Sequence, residues 1–176
     1  MNGLKHITKI RQYCDYVEGH LRNVERAWEI VKDKCGDMHP IYDDHLFFFM
    51  DGEIKNHDIS KMSPEEFIPY QQQFAPVGDK PLKDNPVFLK AWEHHKERNP
   101  HHWENWTQRV ESFPNENACH CVMMVCDWMA MGFAFGDTAE SYYERNKEKI
   151  LLPDWSVKFI MDMFLKIKEI NWPTLG

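Results

Sequence analysis

Residues 118–136 read ACHCVMMVCDWMAMGFAFG. The segment from Asn117 to Gly136 is apolar on every side of a helical wheel and carries one formal charge, Asp127. A helix of that kind is stable when other helices surround it, so this stretch predicts an all-α fold with a buried helix at its centre. An isolated carboxylate buried there costs several kcal/mol unless it is paired or binds a metal. Asp127 is therefore either satisfied by a buried Trp, His or Arg, or it is a ligand.

The surrounding helices are legible in the flanking sequence. Ile7, Ile10, Tyr13, Val17, Leu21, Val24, Trp28 and Val31 recur at intervals of three and four, predicting one long amphipathic helix that ends near Cys35-Gly36. His20 lies within that stripe, three residues after Val17 and four before Val24, and so points inward. A second helix is expected from about Ile41 to His57, with Phe47, Met50, Ile54 and His57 on one face. Ser63-Pro64-Glu65-Glu66 has the pattern of a capping box for a short helix through Tyr70. The stretch from Ala75 to Asp84 reads as a loop. Asn85-Pro86 starts a helix with Phe88, Trp92 and His95 aligned, and Asn99-Pro100 breaks it and starts another carrying His102, Trp106 and Val110. Asp137 to Glu140 opens a further helix, and Pro153 a last one with Val157, Ile160, Phe164 and Ile167 inward. The expectation is a single all-α domain over residues 1–176 with seven or eight helices.

Composition narrows the function. The net charge of −7 argues against duplex nucleic acid held by its backbone, although a small anionic substrate needs only a local positive site, which a metal can supply. No apolar run is read as reaching the roughly 20 residues of a membrane span, so no membrane partner is expected. The opening MNGLKHITKIRQ lacks a secretory pattern, and five cysteines (Cys14, Cys35, Cys119, Cys121, Cys126) without framework spacing read as reduced thiols, both pointing to the cytoplasm. Cys119-His120-Cys121 lacks a second pair at zinc-finger spacing and reads as buried packing. The outlier is histidine, with ten in 176 residues. It is the commonest metal ligand and the usual proton shuttle near neutral pH.

His57-Asp58 are adjacent, so both reach one ion only if it lies in the wedge between them, which a helix end provides. Lys61 follows three residues later on the same side, where it can hold a phosphate or tune a bound water. His94, His95, His101 and His102 flank the Asn99-Pro100 break; from their helical faces His95 and His102 are the better placed to point inward. The bland account of all four is histidines capping helix ends. His6, His39 and His45 read as surface residues.

A histidine on a first long helix, an HD pair ending the next and an aspartate in a late buried helix resemble the HD-domain superfamily of metal-dependent phosphohydrolases. His57-Asp58-Ile59-Ser60-Lys61 looks like the form seen in its cyclic-dinucleotide phosphodiesterase branch, while the short chain looks like the nucleotidase and phage deoxynucleotide triphosphohydrolase branches. More closely, HDISKMSPEEFIPY followed by AWEHHKERNPHHWENW is similar to proteins of unassigned function in bacteriophage and bacterial genomes, over about residues 18–132. A phage-encoded protein of this kind would work in the host cytoplasm.

The resemblance implies that His20, His57, Asp58 and Asp127 bind one divalent ion, a mixed N/O set suited to Mn, Fe, Co, Ni or Zn rather than Mg or Ca. It implies hydrolysis of a nucleotide or similar small phosphate ester by a metal-activated water, with Lys61, His95 and His102 as catalytic residues and His94, His95, His101 and His102 as candidate second-metal or phosphate contacts. Extra histidines often complete a second metal site in the superfamily. Here His95 and His102 stand closer in sequence than in binuclear relatives, which favours phosphate contact or proton transfer. Nucleotidase relatives carry a Glu where this chain has Lys61, so Glu65 or Glu66 would substitute if a carboxylate base is used; both read first as capping residues. Trp92, Trp103 and Trp106 can stack on a base or simply pack. Two other functions compete: a di-iron oxygenase on the same fold, and a non-catalytic nucleotide- or protein-binding module. A homo-oligomer is compatible with all three.

Overall fold

The computed structural model describes residues 3–78, 85–107 and 114–168. Among them are eight α-helices and no strand: α1 Gly3–Cys35, α2 Asp44–Lys55, α3 Phe67–Phe74, α4 Pro86–Arg98, α5 Trp103–Trp106, α6 Pro114–Phe135, α7 Ala139–Asn146 and α8 Asp154–Lys168. A 3-10 turn, Ile59–Met62, joins α2 to α3. The all-α expectation holds.

The central pair is α1 against α6, with α2, α5, α7 and α8 also packed on α6. From Cys119 to Cys126 every side chain of α6 is buried. By length and composition Glu116–Phe135 would be apolar enough to cross a membrane, which corrects the reading that no run reaches that length; most of it is covered by the other helices. The main core joins Val24, Trp28 and Val31 of α1 to Val122, Met124 and Val125 of α6 and to Ile160, Met163 and Phe164 of α8. A smaller apolar cluster, Tyr13, Val17, Tyr70, Ala75 and Ala91, ties the first half of α1 to α3 and α4. His20 lies on α1 between these two cores. Helix α6 stops at Gly136, whose φ of 71° is the left-handed position that glycine fills without a Cβ penalty.

Several boundaries differ from expectation, for local reasons. Helix α2 starts at Asp44 because Asp43 caps it, its carboxylate accepting from the backbone N–H of His45 and Leu46. It ends at Lys55, so His57 lies beyond the helix. The capping-box reading of Ser63 to Glu66 is overturned: the Ser63 hydroxyl makes no cap, the backbone turns through 64–66, and α3 begins at Phe67. Asn99-Pro100 does end α4, but the helix that follows is the single turn Trp103–Trp106, and Val110 lies outside the described residues. So does most of the predicted Ala75–Asp84 loop, from residue 79 onward.

Candidate metal centre

His20 projects from the buried face of α1 and Asp127 from α6, and the packing of these two helices brings His20 Nε2 to 3.2 Å from Asp127 Oδ1. His57 and Asp58 come from the turn after α2. Asn56 closes that helix, its side-chain amide donating to the Gly52 carbonyl at 2.9 Å. Asp58 then adopts a left-handed backbone with φ of 56° and ψ of 17°. Aspartate and asparagine are the non-glycine residues that best tolerate this conformation. The reversal turns His57 and Asp58 toward the same point, a geometry that a continuing helix would deny them.

Four atoms converge there. His20 Nε2 is 3.3 Å from His57 Nε2 and 3.3 Å from Asp58 Oδ2, and His57 Nε2 is 3.6 Å from both Asp58 Oδ2 and Asp127 Oδ1. Ligand atoms bonded at about 2.1 Å to one ion stand roughly 3.0 to 3.4 Å apart in octahedral or tetrahedral geometry, and these pairs approach that spacing, with His20, His57 and Asp58 forming one set of candidate ligands and His57, His101 and Asp127 another. The buried His and Asp side chains could thus hold a metal ion.

The other oxygen of Asp58 faces a second group. His95 Nε2 lies 3.1 Å and His101 Nε2 3.4 Å from Asp58 Oδ1, and His102 completes a cluster with them. His95 is on the last turns of α4; His101 and His102 are in the turn leading to α5. Among the described residues His102 Nε2 is buried with no hydrogen-bond partner, and Asp58 Oδ1 can accept from His95 Nε2 when that nitrogen is protonated. Buried polar atoms without partners are rare in folded proteins, and in a ligand cluster a cation satisfies them. His101 thus joins the inward group alongside His95 and His102. His94 does not: its Nδ1 is 2.7 Å from Glu66 Oε1, behind the cluster.

The two groups hold their protons differently. Burial pulls the pKa of His20 down, but Asp127 and Asp58 beside it outweigh this and hold it up at about 9. Burial opposes the charges of Asp58 and Asp127, yet Lys61 and His57 for the first, and His20 and His57 for the second, keep both carboxyls well below their ordinary range. In the other group, burial and the neighbouring His57 push His101 well down, and burial with His95 pushes His102 to about 4. The second group is itself divided, because burial lowers the His95 pKa but its hydrogen bonds to Asp58 and Glu66 raise it overall, while His101 and His102 are pushed toward the neutral form.

Lys61 reaches Asp58 Oδ2 at 2.5 Å from the 3-10 turn and is itself buried, so it neutralises the aspartate in this arrangement. Its ammonium also sits 5.6 Å from the centre of the Tyr70 ring. A cavity of about 660 Å³ opens beside the centre, lined by His20, Asp58, His95, His101, His102 and Asp127 together with Lys61 and aromatic walls from Tyr16, Phe74, Trp92, Trp103 and Trp128. Trp92 stacks on His95 with ring centres 5.8 Å apart, whereas Trp106 is fully buried in the main core. His39 and His45 stand away from the centre, His45 exposed and His39 half-buried against Tyr42.

Glu66, read from sequence first as a capping residue, stands at the N-cap position of α3, but its side chain makes no cap hydrogen bond. It is completely buried, with Oε2 at 2.8 Å from His95 Nδ1 and 2.9 Å from the Ser60 hydroxyl. Burial raises its pKa, but the hydrogen bonds from His95, His94 and Ser60 bring it below the usual value. Asn99, read only as a helix breaker, donates to Ser60 Oγ at 2.7 Å and to the His95 carbonyl at 2.7 Å. The signal for these residues in the sequence was slight: a glutamate within a capping pattern and an asparagine before a proline.

No curated protein and no solved structure matches the chain. The match to a family of proteins runs from residue 3 to residue 167 and takes in every residue of the His/Asp centre. The chain belongs to this family, a family of unknown function (DUF5662).

Proposed function

We propose that the protein is an HD-type metal-dependent phosphohydrolase acting on a nucleotide or similar small phosphate ester. The observation that carries this reading is the convergence of His20 Nε2, His57 Nε2, Asp58 Oδ2 and Asp127 Oδ1 at the wall of a cavity large enough for such a ligand. The donors are imidazole and carboxylate, the set that favours Mn, Fe, Co, Ni or Zn. When bound, an ion of that kind supplies a Lewis acid for the phosphoryl group and a nucleophilic water at neutral pH.

The chain's own residues do the rest. Lys61 lines the cavity beside the ligand atoms, and its ammonium, once freed from Asp58 by a bound ion, would meet an anionic group there. His102 is neutral near pH 7, and its buried Nε2 is free of protein hydrogen bonds, so it can accept a proton or bond a phosphate oxygen. Trp92 and Trp103 give the cavity planar apolar walls against which a base can lie, and they limit water around the reacting group.

The test is metal content by elemental analysis of protein purified without added metal or chelator, beside the His57→Ala/Asp58→Ala double variant, followed by a screen of nucleotide phosphates with the metal-loaded protein. One equivalent of Mn, Co, Ni or Zn that the variant loses, with phosphate release in the screen, is the expected result. Absence of metal even after reconstitution would overturn the assignment and leave a binding module.

A second reading is favoured by one observation, the division of the Asp58 oxygens between two ligand clusters. A carboxylate so placed can serve two ions. Two equivalents of a hydrolytic metal would make the phosphohydrolase binuclear, and two of iron would favour the di-iron oxygenase.

A further inference from the structure

We propose that Glu66 is a positioning residue that fixes the tautomer of His95 and so turns the His95 Nε2 lone pair toward Asp58 Oδ1. The inference rests on the metal-centre reading for its purpose, but its geometry stands independently of that reading. Its basis is a count of donors and acceptors around His95 Nδ1. Three polar atoms surround that nitrogen: Glu66 Oε2 at 2.8 Å, Asn99 Nδ2 at 3.0 Å and Ser60 Oγ at 3.1 Å.

Asn99 has two amide hydrogens, and both have better acceptors, Ser60 Oγ and the His95 carbonyl, each at 2.7 Å. Ser60 has one hydroxyl hydrogen, which goes to Glu66 Oε2 at 2.9 Å, leaving its lone pairs for Asn99. Neither neighbour therefore donates to His95 Nδ1. The Glu66 carboxylate has no hydrogen to give. His95 Nδ1 must carry the proton and donate it to Glu66 Oε2.

The consequence falls on the other side of the ring. With Nδ1–H committed to Glu66, the neutral ring presents Nε2 as a lone pair 3.1 Å from Asp58 Oδ1; in the metal-free protein a second proton on Nε2 can be donated to Asp58, since burial lowers the His95 pKa but Asp58 and Glu66 raise it overall. Two acceptors facing each other at that distance repel unless a cation lies by both. Glu66 thus selects for neutral His95 the form whose Nε2 suits a metal ligand, a bound ion taking the place that a second proton fills in the metal-free protein. A carboxylate behind a histidine does the same in known metal sites, where its loss typically weakens metal binding about 10- to 100-fold.

His94 strengthens the arrangement from the far side. Its Nδ1 occupies Glu66 Oε1 at 2.7 Å, so the carboxylate is fixed at both oxygens and cannot rotate away from His95. The sequence distance between Asp58 and Glu66 is bridged by the 3-10 turn, which carries Ser60 into the same network.

The experiment uses the full chain with Glu66→Ala and Glu66→Gln, each first checked for a native circular-dichroism spectrum. The glutamine variant keeps the volume and guards against loss of fold in the alanine variant. Long-range ¹H–¹⁵N NMR of the histidine rings reports which nitrogen of neutral His95 carries the proton, and zinc titration by calorimetry reports affinity for each equivalent. The expected wild-type result is the Nδ1–H form, with the Nε2–H form gaining in both variants. The zinc equivalent that involves His95 weakens about 10- to 100-fold, while the equivalent at His20, His57 and Asp127 is unchanged. An Nδ1–H form retained in both variants, or zinc affinities unaltered by them, would overturn the proposal. If wild-type protein binds no zinc, the metal reading fails, and the tautomer in the metal-free protein still upholds or overturns the role of Glu66.

Discussion

The two groups of ligands that share Asp58 are built by different means. His20 and Asp127 come from the middle of the two longest helices, α1 and α6, far apart in sequence, and are placed by the apolar packing of those helices. His95, His101 and His102 come from one helix end and the turn after it: side chains of Glu66, Ser60 and Asn99 surround His95, the His102 backbone N–H donates to the Asn99 carbonyl, and His101 stacks on His57 with ring centres 4.1 Å apart. The first group is held by burial of hydrophobic surface and the second by directional hydrogen bonds and ring stacking. The lesson is that the two groups should fail separately, except through the residue they have in common.

The largest effect is expected at that residue. Asp58→Asn keeps a side chain suited to the left-handed turn but removes the charge, and it should strip metal from both groups in elemental analysis. Asp58→Ala goes further, leaving Lys61 buried without its partner, and should cost about 3–5 kcal/mol in urea unfolding of the metal-free protein. Retention of metal by Asp58→Asn would break the comparison.

Next come single variants that separate the groups. His20→Ala should abolish binding at the first group and leave any ion bound by His95, His101 and His102, whereas His102→Ala should do the reverse. Metal stoichiometry read on both variants checks this. Equal losses in the two would mean that the centre acts as one unit.

The pH dependence of the metal-free protein should also divide. His20 has a folded-state pKa of about 9, above its ordinary 6.5, so its stabilising contribution is complete below pH 6.5 and is lost as pH rises through about 9. His102, pushed down to about 4, contributes in the opposite sense: its share is present above pH 6.5 and is lost as pH falls toward 4. Melting temperatures of metal-free protein should therefore decline on both sides of a region near pH 6.5. His20→Gln should flatten the alkaline limb and His102→Gln should reduce the acid one.

The smallest effect is a control outside the centre. Asp43→Ala removes the cap of α2 and should lower stability by about 1 kcal/mol without changing metal content. A loss of metal in that variant would mean that the position of His57 and Asp58 depends on how α2 begins as well as on how it ends.

How much could be read in advance follows the same division. The stripe from Ile7 to Val31 has a period that only a helix satisfies, so α1 and the inward direction of His20 were plain. Asp127 was conspicuous because it is the lone charge in an apolar helix. The turn at Asp58 was hard to read, since Asn56 and Asp58 tolerate a positive φ but no glycine demands one, and the pattern let α2 run on to His57. Glu66 was misread for a related reason. Its place after Ser63-Pro64 matches the local chemistry of a helix start, but the demand of His95 for an acceptor comes from another helix and prevails. Likewise, helical faces on either side of Asn99-Pro100 placed His95 and His102 but ranked His101 behind them, because 99–102 forms a turn rather than the continuation of a helix.

The left-handed backbone of Asp58 also limits which mutations the position can accept. Glycine and asparagine share its tolerance for positive φ, but neither brings an anion with two oxygens. Glutamate brings the anion, but with a longer side chain and poorer tolerance of that backbone. Aspartate alone meets both demands, so every other amino acid at this site gives up either the backbone turn or the two-oxygen anion.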